Sequence, residues 1–217
     1  MRGAPKIVAD IDWGELWLMP RLSAFREAHP NILFCVNGAG DIPLRLGAPD
    51  VRITYGDDED EPLFTDVLLP VSGPELRHRI AGSDSQIQLE GMPLLHLKEQ
   101  SDGTEHPGWV EWLQKFGHRS SGGDRGVRYQ RMRLALEAAR HEVGFLVCGL
   151  SLMQRDLEEG RLFHTFPRSQ HLTAPHPYRM KLRQDAERRP QLQKFVAWLR
   201  SEARKTQDFI ERTVTGS

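Results

Sequence analysis

Cysteine is scarce in this 217-residue chain: Cys35 and Cys148 are the only two. Both fall in strand-like apolar runs without metal-ligand spacing, which excludes a disulfide scaffold and reads as reduced, buried thiols suited to a reducing cytoplasm. No apolar run approaches the length of a membrane span, and Met1 to Lys6 leads into a short strand without a signal-peptide core, so no route of secretion and no membrane contact are expected. Charge of one sign is missing too. Lys and Arg number 29 against 30 Asp and Glu, a formal net charge of -1, which supplies no field for nucleic acid phosphates. HExxH, CxxC, GxSxG and P-loop patterns are absent, as are internal repeats and low-complexity tracts. His106, His118, His141, His164, His171 and His176 are scattered without ligand spacing, and Ser72 lacks the strained elbow of a nucleophile. The expectation is therefore a chain that is not an enzyme and uses no cofactor and no metal.

What is present is a soluble globular composition, 39% hydrophobic and 27% charged, in a chain long enough for one or two cores. Ile7-Val8-Ala9 reads as a strand. Leu18, Leu22 and Phe25 recur at helical steps, with Arg21, Arg26, Glu27 and His29 on the wetter side. Pro20 is expected in that helix's first turn, and His29-Pro30 ends it. Ile32 to Val36 follows as a buried strand, so strand, helix and strand open an α/β domain with a parallel sheet. Further strands are expected at Asp50 to Tyr55 and Leu63 to Val71, and Pro74 opens a helix.

A second α/β set begins near Met92. It has strands at Leu94 to His96, Val127 to Tyr129, Gly144 to Cys148 and Arg161 to Phe163, with helices at Pro107 to Phe116, Met132 to His141 and Leu150 to Glu159. A strand at Tyr178 to Leu182 precedes a long helix opened by Pro190, with a stripe of Leu192, Phe195, Val196, Leu199 and Ala203.

Eight blocks, in order, resemble the effector-binding domain of LysR-type transcriptional regulators, particularly the subgroup around the glycine-cleavage activator. They are WLMPRLSAFREAHPNI, DVRITYGD, LFTDVLLPVSGPEL, MPLLHL, PGWVEWLQKFG, LALEAARHEVGFLV, RDLEEGRLFHTF and PQLQKFVAWLRSEA, and they span about Ile7 to Ala203. The resemblance implies two Rossmann-like subdomains with two crossover strands, like type 2 periplasmic binding proteins, and an effector cleft between them. Subdomain I would be discontinuous, 1–72 and 177–217, with 73–176 as subdomain II and crossovers near Pro70 to Pro74 and Pro177 to Leu182. Family members carry a winged helix-turn-helix ahead of this domain. None is seen in these residues, so DNA would be met only through such a missing N-terminal domain.

The resemblance also places candidate effector residues. Asp10, Asp12 and Trp13 form the first loop, where many relatives hold an anion with Ser or Thr; two carboxylates there should instead attract an ammonium or guanidinium group. Asp12 also suits the cap of the following helix, and Trp13 is expected to be exposed to the cleft. Gly38 to Asp41 is the second loop and Tyr55-Gly56-Asp57 the third, Thr54 standing where relatives usually have Arg. Asp57 to Glu61 reads as a solvated acidic loop rather than a cation site. Gln130, Arg131 and Met132 form the fourth loop, where Arg131 could clamp an anion, and His96 ends its strand near them. An amine or amino acid effector follows from those charges.

Carried over from the family, a homodimer, or a tetramer in a longer protein, would use Leu18, Leu22 and Arg26 from one helix and Arg133, Glu137 and Arg140 from another. One departure stands out: Glu142 occupies a position where relatives have glycine, so that turn is expected to be rebuilt. The alternative class is a stand-alone or transport-type solute-binding protein.

Overall fold

The computed structural model describes residues 5–33, 35–38, 48–82, 88–98, 106–184 and 188–216. Asp41 of the second expected loop lies outside them. The chain divides into two units: Met1–Thr65 with His176–Phe209, and Asp66–Pro175 with Ile210–Ser217. The divisions fall inside the two longest strands, before Pro70 and just ahead of Pro177, and the last residues go with the second unit rather than the first.

In unit 1, β1 (Lys6–Ala9) lies between β2 (Cys35–Gly38) and β3 (Val51–Tyr55), all parallel, and β9 (Leu172–Leu182) runs antiparallel to β3 from Tyr178 to Leu182. Parallel pairing brings the C-terminal ends of β1 and β3 to one edge, where Asp10 and Gly56 follow. The helix after β1 starts earlier than its apolar stripe suggests. It runs through α1 (Ile11–Trp13), a π-helical turn (Gly14–Leu18) and α2 (Met19–Ala28). Pro20 is thus not in the first turn but well inside. A proline there cannot donate to the carbonyl of residue 16, and the widened turn just ahead, in which Met19 N–H reaches Gly14 O, accommodates the break. Phe25 packs edge-on against Phe195 of α7 (Pro190–Thr215), ring centroids 5.6 Å apart, and Trp17 Nε1 donates to Thr206 Oγ1 at 2.9 Å. Buried Asp50 gathers the start of β3: it accepts Lys6 N–H and pairs with Arg183 at 2.7 Å and Arg189 at 2.9 Å.

In unit 2, β4 (Glu61–Ser72) carries antiparallel β7 (Phe145–Gly149) and β8 (Phe163–His164), and β7, β5 (Leu94–Leu97) and β6 (Val127–Tyr129) are mutually parallel in that order. Helices α3 (Pro74–Ile80), α4 (Trp109–Phe116), α5 (Met132–Arg140) and α6 (Leu150–Glu158) complete it. Trp109 and Trp112 are buried and their indole N–H groups donate to Phe145 O and Gln170 O, so the polar edge of each large ring is satisfied inside the core. Among the described residues, no helix is long and apolar enough to cross a membrane. Cys148 is buried as expected, whereas Cys35 is half-buried; neither forms a disulfide.

Three expectations are corrected here. The strand predicted at Tyr178 starts at Leu172, its earlier half hidden by Pro175 and Pro177, residues more usual at strand edges. The turn at Glu142 is not rebuilt: Glu142 keeps the left-handed backbone, φ 61°, that glycine would favour. Leu18 and Leu22 are buried inside unit 1 rather than presented to a partner, because the stripe that made them conspicuous is the face turned to the core.

Candidate functional site

The edge of unit 1 is built from loops that follow β1 and β3. Asp10, not Asp12, caps the first helix: its Oδ1 accepts Trp13 N–H at 2.9 Å, while its backbone N–H donates to Ile53 O. Asp12 stands within the same first turn, half-buried, so two carboxylates crowd the positive end of one helix. An anion arriving there would meet both.

Trp13 is fully buried, which overturns its expected exposure. Its ring stacks on Trp17 with centroids 4.6 Å apart and lies 6.1 Å from Tyr178. Its indole Nε1 is buried and meets no acceptor among the described residues, an unsatisfied donor of the kind native interiors rarely keep. Tyr178 also packs 5.4 Å from Tyr55 and 5.2 Å from Phe64, and Tyr55 lies edge-on to His176 at 5.7 Å. An aromatic wall therefore backs the first and third loops. Arg179 fixes the third, donating to Gly56 O at 3.0 Å and Asp60 O at 2.7 Å. The sequence assigns no site role to Tyr178 or Arg179 inside the expected strand, nor to His176 just before it; the alternation of Tyr178, Met180 and Leu182 is the signal that places the Tyr178 ring on the buried face. In the acidic loop, Asp60 pairs with Lys181 and Glu61 accepts two bonds from Arg200. No cluster of three metal-binding side chains occurs among the described residues.

In unit 2 the corresponding edge holds His96 and the loop from Gln130 to Met132. His96 is 8% exposed and its Nε2 lies 3.1 Å from Arg125 O. Burial lowers its pKa, so it is a neutral ring tied to backbone. Met132 is buried, whereas Gln130 is exposed. Arg131 is the N-cap residue of α5, and its half-exposed guanidinium has no ion pair among the described residues. It is the group of this loop suited to a carboxylate.

Three helices of unit 2 begin at glycine caps that carry no side chain, and at two of them, α6 and α3, distant carboxylates serve instead. Asp66 of β4 accepts Ser151 N–H at 3.1 Å and Ser151 Oγ–H at 2.6 Å at the start of α6, whose cap is Gly149. Glu142 accepts Glu75 N–H and Leu76 N–H at the start of α3, whose cap is Gly73. A Cβ on Gly149 would come within 2.5 Å of Asp66 Oδ2, and one on Gly73 would overlap the Glu142 carboxylate. Burial pushes the Asp66 carboxyl up to about 6, against the lowering effect of its Ser151, Val67 and Leu150 donors.

The family model described as the LysR substrate binding domain matches residues 2–204. The chain belongs to that family. It is 26% identical over 201 residues to the HTH-type transcriptional regulator DsdC of Escherichia coli K12, covering 88% of this chain and 63% of that protein. It is 28% identical over 156 residues to the glycine cleavage system transcriptional activator of the same strain, covering 69% of this chain and 49% of that protein. The chain thus spans roughly half to two thirds of the length of these regulators. The fold matches the effector domain of AmpR from Pseudomonas aeruginosa with a TM-score of 0.72 at 20% identity, covering 94% of this chain and 97% of that one. It matches the regulatory domain of CrgA from Neisseria meningitidis with a TM-score of 0.70 at 18% identity, covering 94% and 100%.

Against the family's expected pairing surface, this LysR substrate-binding domain presents a mixed set. Arg26, Arg133 and Glu137 are exposed. Arg140 is occupied within its own unit, bonded to Glu137 and, at 2.7 Å, to buried Asp156, which also accepts from Arg161. The apolar side chains these helices do leave in solvent are Met19 and Leu134, 54% and 57% exposed.

Proposed function

We propose that this LysR-family domain senses a small amine or amino acid in the cytoplasm and passes its occupancy, through a homodimer, to DNA-reading heads in a longer regulator. Family membership and the regulators among its relatives support the sensing role. The ligand class rests on one observation above the others: the helix end that an anion would seek already holds Asp10, with Asp12 beside it. Such a terminus prefers an ammonium or guanidinium group. In unit 2, Arg131 offers a charge-assisted partner to a carboxylate. Taken singly, the first loop suits the amino pole of such a ligand and the fourth its carboxylate pole, and one relative's name ties that protein to glycine cleavage.

The effector acts by binding one conformational state of the domain better than another, and can shift the balance only by that difference in affinity. A thermal-shift screen of amines, amino acids and carboxylates tests the reading. A ligand at a hundred times its Kd adds about 2.7 kcal/mol of stability, roughly 5–10 °C in Tm for a domain of this size. The expected outcome is selective stabilisation by amines or amino acids; selective stabilisation by a dicarboxylate contradicts it.

A further inference from the structure

Unit 2 also contains a cavity of about 780 Å³ whose lining includes none of the loop residues discussed above. It is walled by Arg77 of α3, Leu157 of α6, Phe163 and His164 of β8, Arg168 beyond them, and Val214 of α7. The charges are one-sided. Arg77 and Arg168 both line it and, among the described residues, no acidic side chain does, in a chain whose net charge is -1. Neither guanidinium has an ion pair among the described residues, and that of Arg77 lies 5.2 Å above the Phe163 ring, so an aromatic face holds it in place. His164 adds a buried Nδ1 without a hydrogen-bond partner among the described residues. Burial, then Arg168, then Arg77 lower its pKa to about 4, so the ring is neutral and both guanidinium charges act upon it. Apart from Ser169, the rest of the described lining is without polar side chains, notably Leu162, Phe166 and Pro167.

We propose that this cavity is a second ligand site, separate from the effector loops, that takes a small organic monocarboxylate with an aryl or branched apolar body. The carboxylate pairs with Arg77 and Arg168, and the body lies against Phe163, Phe166 and Leu162. Two unpaired guanidinium groups beside an apolar floor suit that combination, whereas a bare inorganic anion leaves the floor unused and a neutral amide leaves the charges unpaired.

The test is calorimetry on the 217-residue protein with benzoate, benzamide and inorganic phosphate. Benzoate should bind saturably at one site, with benzamide and phosphate each at least about tenfold weaker, a difference of about 1.4 kcal/mol. Arg77→Gln and Arg168→Gln should each weaken benzoate by a similar factor, while Asp10→Asn leaves it unchanged. That last comparison separates this site from the effector reading, on which it does not rest. Should an arginine variant unfold, NMR of the unaltered protein remains decisive: benzoate should move the His164 ring resonance, assigned by its loss in His164→Gln. No saturable benzoate binding, equal affinity for benzamide or phosphate, full affinity in the arginine variants, or an unmoved His164 resonance would each overturn the proposal.

Discussion

Glu142 supports the start of α3 from 66 residues away in sequence, its Oε2 accepting Leu76 N–H at 3.0 Å. The same residue sits at φ 61°, where a side chain is strained. The strain persists because the carboxylate takes the place a cap side chain would fill, over a glycine too small to obstruct it. Glu142→Ala keeps the strain and removes the cap, and should cost about 1–2 kcal/mol. Glu142→Gly relieves the backbone and should cost less, with the ordering read by urea unfolding. Glu142→Ala as stable as the parent would refute the capping role.

Asp66 gives the domain a pH-dependent stability of defined sign. Its pKa is raised when folded, from 3.8 to about 6, so its contribution is present below the unfolded value and is lost as pH rises through the folded one. Between pH 4 and 7 the wild type should lose about 2 kcal/mol relative to Asp66→Asn. Unfolding free energies of both proteins across that range check this; a pH-independent difference contradicts it.

Asp50, 2% exposed, anchors β1, β3 and two arginines at once. Asp50→Ala leaves Arg183, Arg189 and Lys6 N–H without their shared acceptor and should destabilise by about 3 kcal/mol or more, seen as a lower denaturation midpoint with an unchanged slope. A shift within the range of an ordinary surface substitution, about 0.5 kcal/mol, would show the network contributes little.

Dimer formation should depend on the exposed Leu134 of α5 rather than on Leu22, which is core. Leu134→Glu is expected to shift the protein toward monomer in sedimentation while leaving Tm nearly unchanged, because the side chain already meets solvent. Leu22→Ala is expected to lower stability by about 2–5 kcal/mol. A monomeric parent at high concentration would remove the paired sensor from the account.

The alternation of strands and helices was legible because parallel strands and core-facing helices impose strong apolar patterns, as at Phe145 to Cys148 and Leu192 to Ala203. What escaped was information carried by partners distant in sequence. Nothing local to Asp66 announces a cap for α6, and nothing beside Glu142 points to α3. The loop at Asp10 was found by its place after a strand, but the assignment of the cap to Asp12 missed by two residues, since the helix starts at Ile11 with polar and apolar side chains mixed. Trp13 was misplaced for a related reason: a large ring next to a loop can turn inward onto Trp17 and Tyr178, residues brought to it by the π-helical turn and by β9.

Calorimetric titration of the best-stabilising amino acid or amine, into the parent and into Asp10→Asn, tests the central claim most directly. Loss of the Asp10 charge should weaken binding by about tenfold or more without unfolding the helix, since asparagine also caps. Unchanged affinity in Asp10→Asn, or a dicarboxylate bound in preference and still bound by Arg168→Gln, would contradict an effector site built around the carboxylates that open the first helix.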